Sequence, residues 1–194
     1  MFEDGTVVAY GQGVLYKDGS VIEYHGTEIK KLIVNEGVTG IGGSLCYNLP
    51  YLKSVFLPES VTKIGTGCFA ECTSLQEVTL PSNLQTIESY TFENCYSLQK
   101  VTMPSNLNLI SDGTFENCKN LKEILLPDTL SSIGENAFKG CSVLKAINIP
   151  GNVKEIGDSA FEECVSLDEI TIPHSIVLGK GVFLQLYRFK NSYL

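Results

Sequence analysis

The sequence is poor in the residues and patterns that mark most functional classes. Its 194 residues include only two histidines, His25 and His174, and 14 lysines and arginines against 22 acidic residues, which gives a net charge of −8. No long run of one charge occurs, so a phosphate backbone or an anionic lipid surface is not expected as the main partner. Apolar stretches are far shorter than the roughly 20 residues that span a membrane. We therefore predict no nucleic-acid binding and no membrane insertion.

Signals for secretion and for catalysis are also missing. The first ten residues, MFEDGTVVAY, lack the basic start and the apolar stretch of a signal peptide, so no signal peptide is predicted in this chain. There is no Ser–His–Asp, H-E-x-x-H or P-loop pattern, and the glycines of 11–13 and 40–43 lack the strand-to-helix setting of a dinucleotide site. We predict that the protein is not an enzyme and binds no cofactor and no metal.

What the sequence does contain is a repeat of 23 residues. Four residue types recur at this interval and stay in phase with one another, which is typical of a solenoid. The four columns are Pro58, Pro81, Pro104, Pro127, Pro150 and Pro173; Phe69, Phe92, Phe115, Phe138 and Phe161; Cys72, Cys95, Cys118, Cys141 and Cys164; and Ile41, Ile64, Ile87, Ile110, Ile133 and Ile156.

Each repeat is predicted to form one coil. In residues 75–81, LQEVTLP, apolar and polar residues alternate as in a half-buried strand, and proline ends the strand because it has no N–H to extend a parallel ladder. The residues that follow have apolar positions three or four apart, which suits an irregular or short helical return. A single repeat cannot bury its apolar face, so stacked repeats must share one core. The predicted strands open at Ile29, Leu52, Leu75, Leu98, Leu121, Leu144 and Leu167.

Residues 61–84, VTKIGTGCFAECTSLQEVTLPSNL, resemble the repeat of BspA-like leucine-rich repeat proteins, and residues 133–153, IGENAFKGCSVLKAINIPGNV, come close to the consensus of that family. The resemblance implies a right-handed leucine-rich-repeat coil with a parallel sheet on the concave face and the returns on the convex side. It also implies a secreted or cell-surface protein of the adhesin type, with host matrix or another cell surface as its partner.

Three parts of the chain are predicted. Residues 1–28 form an N-terminal β-hairpin cap, in which Asp18-Gly19 supplies the turn of the stretch GVLYKDGSVIEYHG. Residues 29–183 form a solenoid of about seven coils, and residues 184–194 form a C-terminal cap or tail. Departures from the repeat fall at its ends, since Cys46 stands where phenylalanine is expected and Leu49 stands where cysteine is expected.

The cysteine column is predicted to be structural. Equivalent side chains of stacked coils point in parallel, which disfavours disulfides, and zinc would require thiols that converge on one point. A cysteine nucleophile would need a base nearby, and neither histidine lies in the central repeats. The column is therefore expected to be buried, whereas Cys68, outside the column, is expected to be the most exposed thiol.

The solvent-facing positions of the strands are predicted to form one continuous surface, which we call the strip. It consists of the second, third and fifth positions of each predicted strand and carries six lysines and four acidic residues, which leaves a net charge of −10 on the rest of the chain. Lysine and threonine on strand faces also occur for solubility alone, so the pattern by itself does not prove a binding site. The residues predicted to contact a partner are Ile33, Lys53, Phe56, Glu77, Thr79, Lys100, Thr102, Glu123 and Leu125.

Three functions are compatible with this surface. The first is binding of a protein or another macromolecule by a monomer through its concave face, with Ile33 and Phe56 as an exposed apolar pair. The second is a structural spacer within a larger surface protein. The third is carbohydrate binding, which the sequence supports weakly because Phe56 is the only aromatic residue predicted on the strip.

Overall fold

The computed structural model describes residues 3–16, 28–186 and 192–193 of the chain. Within these residues there are strands and turns but no helix, and hence none that is long and apolar enough to cross a membrane. The chain winds into a parallel β-solenoid of about seven coils, which confirms the predicted fold class. The returns are irregular turns and short strands, so the helical alternative for them was wrong.

One parallel ladder contains the seven strands predicted from the sequence and one further strand at each end. Its first six strands form one sheet in the order β1-β3-β5-β7-β9-β11, and its last three form a second sheet in the order β13-β15-β17. The strands are β1 (Thr6–Ala9), β3 (Lys31–Val34), β5 (Ser54–Phe56), β7 (Glu77–Thr79), β9 (Lys100–Thr102), β11 (Glu123–Ile124), β13 (Ala146–Asn148), β15 (Glu169–Ile172) and β17 (Ser192–Tyr193).

A second parallel ladder follows the isoleucine column and was not predicted. It forms two sheets, β2-β4-β6-β8 and β10-β12-β14-β16. In four of these strands, those that end at Ile64, Ile87, Ile110 and Ile156, a buried isoleucine follows an exposed residue, which is the alternation of a sheet. The strands are β2 (Gly13–Leu15), β4 (Val38–Ile41), β6 (Lys63–Ile64), β8 (Thr86–Ile87), β10 (Leu109–Ile110), β12 (Ser132–Ile133), β14 (Glu155–Ile156) and β16 (Val177–Leu178).

The turn that carries each phenylalanine is also hydrogen-bonded to the next coil. In one such turn, the N–H groups of Gly113, Phe115 and Asn117 donate to carbonyls of the following coil at 2.7 to 2.8 Å. The residues two before and two after each phenylalanine position have positive φ, a conformation that favours glycine and asparagine. These residues are Ser44, Gly67, Tyr90, Gly113, Asn136, Ser159 and Gly181, and Asn48, Glu71, Asn94, Asn117, Gly140, Glu163 and Gln185.

The phenylalanine column forms the centre of the core. All five predicted members are fully buried, and their rings stack nearly parallel, with centroids of successive rings 5.3 to 5.6 Å apart. Phe183 extends the stack at 6.0 Å from Phe161. The coil of Phe183 is one residue shorter than the others, so Ile156 pairs with Leu178, 22 positions later. Phe183 is also 22 positions after Phe161 and therefore still lies over its ring. Phe92, Phe115, Phe138 and Phe161 therefore each pack between two other rings.

The ends of the solenoid differ from the middle. Part of the predicted N-terminal cap forms a further coil: β1 pairs in parallel with β3, and β2 pairs in parallel with β4. The predicted hairpin turn at Asp18-Gly19 lies outside the described residues. At the other end, β17 pairs in parallel with β15 and so extends the first ladder. The boundaries at 28/29 and 183/184 stay predictions.

Candidate interaction surface

The cysteine column is buried, as the sequence predicts. Each of its thiols donates a hydrogen bond to a backbone carbonyl 26 residues earlier, at 3.1 to 3.3 Å, and in four of the five cases that carbonyl belongs to a phenylalanine of the stack. Burial raises the pKa of the thiols, that of Cys164 to about 12. These thiols tie neighbouring coils together and have no access to a substrate.

The prediction for Cys68 was wrong, because its side chain is fully buried. Its position directly precedes the phenylalanine column, and the next coil places the buried Thr91 there. The Cys46 thiol, which takes the position of a phenylalanine, is also buried and lies in the adjacent coil. The pKa of the Cys46 thiol is raised, mainly by a hydrogen bond with Cys68 and to a smaller extent by burial. The sequence could not indicate this, because the position before phenylalanine varies between repeats.

All seven cysteines are free and buried, which predicts how they react. In native protein at pH 7.5, a thiol reagent such as iodoacetamide is expected to label none of them within minutes, because neither the reagent nor solvent reaches the sulfur atoms. After unfolding in guanidinium chloride, all seven should react. Intact mass spectrometry measures both states. Rapid labelling of Cys68 alone, or an intact disulfide in the native protein, would show that the placement of the thiols is wrong.

The strip forms one surface. All of its residues are exposed except Ile33 and Thr171, which are half-buried. The first ladder holds the predicted contact residues in register, so that Phe56 pairs with Ile33 and Thr102 pairs with Thr79. By the same register, Lys100 lies between two glutamates, Glu77 and Glu123. The remaining predicted residues, Lys53 and Leu125, are exposed on the same face.

The most exposed large apolar side chain of the strip is Leu125, with 82% of its surface accessible, followed by Phe56 with 58%. Ile33 contributes less than expected because it is half-buried beside Phe56. Leu125 directly follows β11, where the first ladder is divided between two sheets, and it borders a groove of about 540 Å³ that also includes Thr102 and Met103. The strip therefore has two apolar projections, three coils apart.

A second groove, of about 700 Å³, lies at the N-terminal end of the strip, where the first strands end. Its lining includes Tyr10, which is 72% exposed, together with Gln12, Asn35, Glu36 and Phe56. Tyr10 was not predicted from the sequence, because residues 1–28 were expected to form a β-hairpin cap. The similarity between TVVA of β1 and KLIV of β3 could have indicated that residues 6–9 form a strand of the same ladder. The two segments pair 25 positions apart, however, and so fall outside the 23-residue period.

Negative charge gathers on the phenylalanine turns, away from the strip. Partial burial raises the pKa of Glu93 and of Glu116, and the next largest cause is a neighbouring carboxylate, Glu71 for Glu93 and Glu93 for Glu116. In the next two phenylalanine turns, the Lys139 ammonium lies 2.8 Å from the Glu162 carboxylate, and this ion pair lowers the pKa of Glu162. The acidic turns and the mildly basic strip therefore present different potentials to a partner.

The repeat columns agree with a known family. Two overlapping segments, residues 23–122 and 108–194, match the BspA type leucine rich repeat region in six copies. The chain belongs to this family. Its BspA-type coils show a strong structural similarity to the leucine-rich repeat protein TpLRR of T. pallidum, with 31% identity, a TM-score of 0.81 and coverage of 84% of this chain and 78% of that one.

More distant solved structures share the fold. A leucine-rich cell surface protein of Faecalibacterium prausnitzii has 21% identity and a TM-score of 0.52 over 99% of this chain and 74% of that chain. The pneumococcal vaccine antigen PcpA has 18% identity and a TM-score of 0.60 over 86% of this chain and 51% of that chain. A comparison with curated protein sequences gives no significant match. Proteins with BspA-type repeats are in general interaction modules and typically not enzymes.

Proposed function

We propose that this BspA-type solenoid is a non-enzymatic, monomeric, adhesin-like module that binds a protein partner through the strip. The observation that carries the proposal is the exposed, in-register row of side chains on the first ladder, with Phe56 and Leu125 projecting from it. Large apolar side chains are usually buried, and exposed ones on a polar surface mark contact sites. Such residues anchor a partner, while the polar residues around them provide specificity.

The charge distribution supports a partner with an acidic or mixed contact surface. Lysines dominate the N-terminal part of the strip, at Lys30, Lys31 and Lys53, and all three are exposed. Charges of opposite sign on two surfaces increase the rate of association and fix the register of the complex. The acidic phenylalanine turns would repel such a partner, so it would dock on the strip.

Localisation at the cell surface or in the surroundings of the cell is part of the proposal. It is supported by the surface protein of F. prausnitzii and by the pneumococcal antigen, which have the same fold. A host-matrix or cell-surface protein is the partner that this setting favours. A spacer function, in which the coils only separate other domains, is the alternative that the following experiment distinguishes.

Reversal of two strip charges is expected to weaken binding. Lys53→Glu combined with Lys100→Glu places negative charge in the contact area, and the resulting repulsion is expected to cost about 1.4 to 2.8 kcal/mol in total, which raises Kd roughly tenfold to a hundredfold. The partner is first identified by capture from solubilised matrix and surface proteins. Binding of the purified partner is then measured by surface plasmon resonance at 50 and 150 mM salt.

The matched control is Lys154→Glu with Lys180→Glu, which changes the net charge by the same amount at two exposed positions outside the strip. If binding followed total charge alone, both double variants would weaken it equally, and the strip would not be the contact surface. Normal binding by the strip variant, or no partner for the wild-type protein, would favour the spacer.

A further inference from the structure

The groove between Tyr10 and Phe56 is built differently from the rest of the strip. Two exposed aromatic side chains border it, and the polar side chains of Gln12, Asn35 and Glu36 lie between and beside them. Backbone hydrogen bonds fix its floor: the Asn35 N–H donates to Ala9 at 3.0 Å. The groove therefore combines ring faces with hydrogen-bonding groups on a rigid support.

The side chain of Gln12 packs closely against the backbone of Gly37. A Cβ atom at Gly37 would lie 2.5 Å from Gln12 Nε2, and Gly37 has a φ of +97°, so only glycine suits this position. The Gly13 N–H donates to the carbonyl of Gly37 at 3.0 Å and joins the two segments. The amide of Gln12 is thus placed at the rim of the groove by the loops that form it.

The polar groups of the groove have no partners within the part of the chain that the structure describes. In residues 3–16 and 28–186, no hydrogen bond or ion pair joins the side chains of Gln12, Asn35 or Glu36 to another residue. Two amides and a carboxylate provide both donors and acceptors. They are therefore free to bind a ligand that carries many hydroxyl groups.

The position of the two rings suits an extended ligand. By the register of the first ladder, Tyr10 is two strands away from Phe56 and two residues further along. With strands about 4.8 Å apart and about 3.3 Å per residue, the rings are about 10 Å apart across the ladder and about 7 Å along it. A chain of linked rings can contact both, whereas one small molecule can contact only one.

From this geometry we infer that the groove is a binding site for a neutral oligosaccharide. The C–H faces of two sugar rings stack on Tyr10 and Phe56, and their hydroxyl groups exchange hydrogen bonds with Gln12, Asn35 and Glu36. The lining has one carboxylate and no cation, which disfavours sulfated, sialylated and uronic acid sugars. The inference adds a ligand that the proposed protein-binding function does not require, and Phe56 is the residue common to both.

The test begins with the fluorescently labelled chain on an array of oligosaccharides. The array carries neutral gluco-, manno-, galacto- and N-acetylhexosamine chains beside sialylated and sulfated ones. The protein is expected to bind a subset of the neutral chains and none of the anionic ones. Isothermal titration calorimetry with a bound neutral chain should then show that Tyr10→Ala and Phe56→Ala each weaken binding at least tenfold.

Two controls separate this inference from the proposed function. Tyr51 is 56% exposed but lies outside the groove, so Tyr51→Ala should change the affinity for the sugar less than twofold. The double variant Lys53→Glu/Lys100→Glu should weaken protein binding and leave sugar binding intact. The variants are expected to fold, because all the changed side chains are exposed. Circular dichroism and thermal unfolding check this.

Three results would overturn the inference: no neutral chain bound by the wild-type protein, a preference for anionic chains, or equal loss of sugar binding in Tyr10→Ala and Tyr51→Ala. Loss of protein binding alone in Tyr10→Ala would likewise overturn it, because the groove would then belong to the protein interface.

Discussion

Phe115→Ala is expected to lower the free energy of unfolding by roughly 3 to 5 kcal/mol. Phe115 is fully buried and stacks on Phe92 and Phe138, with ring centroids 5.6 and 5.4 Å away. Removing the ring leaves a cavity between coils whose spacing is fixed on both sides by the first ladder and by the hydrogen bonds of the phenylalanine turns, so the neighbours cannot collapse into the space. Urea denaturation followed by circular dichroism measures the loss.

Two comparisons make the Phe115 result specific. Phe183→Ala should cost less, because Phe183 is only half-buried, whereas Phe115 is fully buried. Lys122→Ala, at an exposed position of the strip, should change the denaturation midpoint little. Similar midpoints for Phe115→Ala and Lys122→Ala would show that the stack is not the centre of the core.

Gly157→Ala is expected to destabilise the protein by roughly 1 to 3 kcal/mol, because it forces two coils apart. A Cβ atom at Gly157 would lie 2.5 Å from the backbone nitrogen of Glu135 and 2.7 Å from the carbonyl carbon of Gly134, both in the preceding coil. Backbone atoms cannot move aside as a flexible side chain can. The second ladder, which joins β12 to β14 beside this contact, would have to open.

Two other coils of this chain carry a side chain at the position that corresponds to Gly157. The next-but-one coil toward the N-terminus has Ser111 there, and the second ladder is interrupted beside it, between β8 and β10. One coil nearer the N-terminus, the same position holds Glu88, and the second ladder stays intact there between β6 and β8. The Glu88 carboxylate accepts two hydrogen bonds at 2.9 Å from Thr66 and pairs with Lys63, and these contacts offset the cost of the close approach. Alanine at position 157 offers no such contact.

The matched control for Gly157 is Gly151→Ala. Gly151 lies in a turn, and a Cβ atom there would have nothing within 4 Å. Both changes remove the flexibility of one glycine from the unfolded chain, so the difference between them isolates the steric effect. If the two variants unfold at the same urea concentration, the coils are not packed as closely at Gly157 as the structure indicates.

The repeat itself determined most of the fold. Equal intervals between prolines, phenylalanines and cysteines mean that stacked coils place equivalent residues in equivalent surroundings. The burial of the Cys118 thiol and the exposure of Lys100 and Phe56 followed from their places in that pattern. The binding role of the strip stays a proposal, because position on a face does not show what the face contacts.

The remaining features depended on neighbours that the repeat does not specify. The second ladder exists because the backbone groups of the returns must find hydrogen-bond partners, and the adjacent coil supplies them. Cys68 is buried because its turn faces the core, although its residue type varies between repeats. Tyr10 lies beside the N-terminal end of the strip because β1 pairs with β3 at an interval of 25 residues, which the 23-residue period does not predict. The sequence alone determined which positions are equivalent, whereas the tertiary structure decided the contacts that join one coil to the next, because those contacts form between backbones.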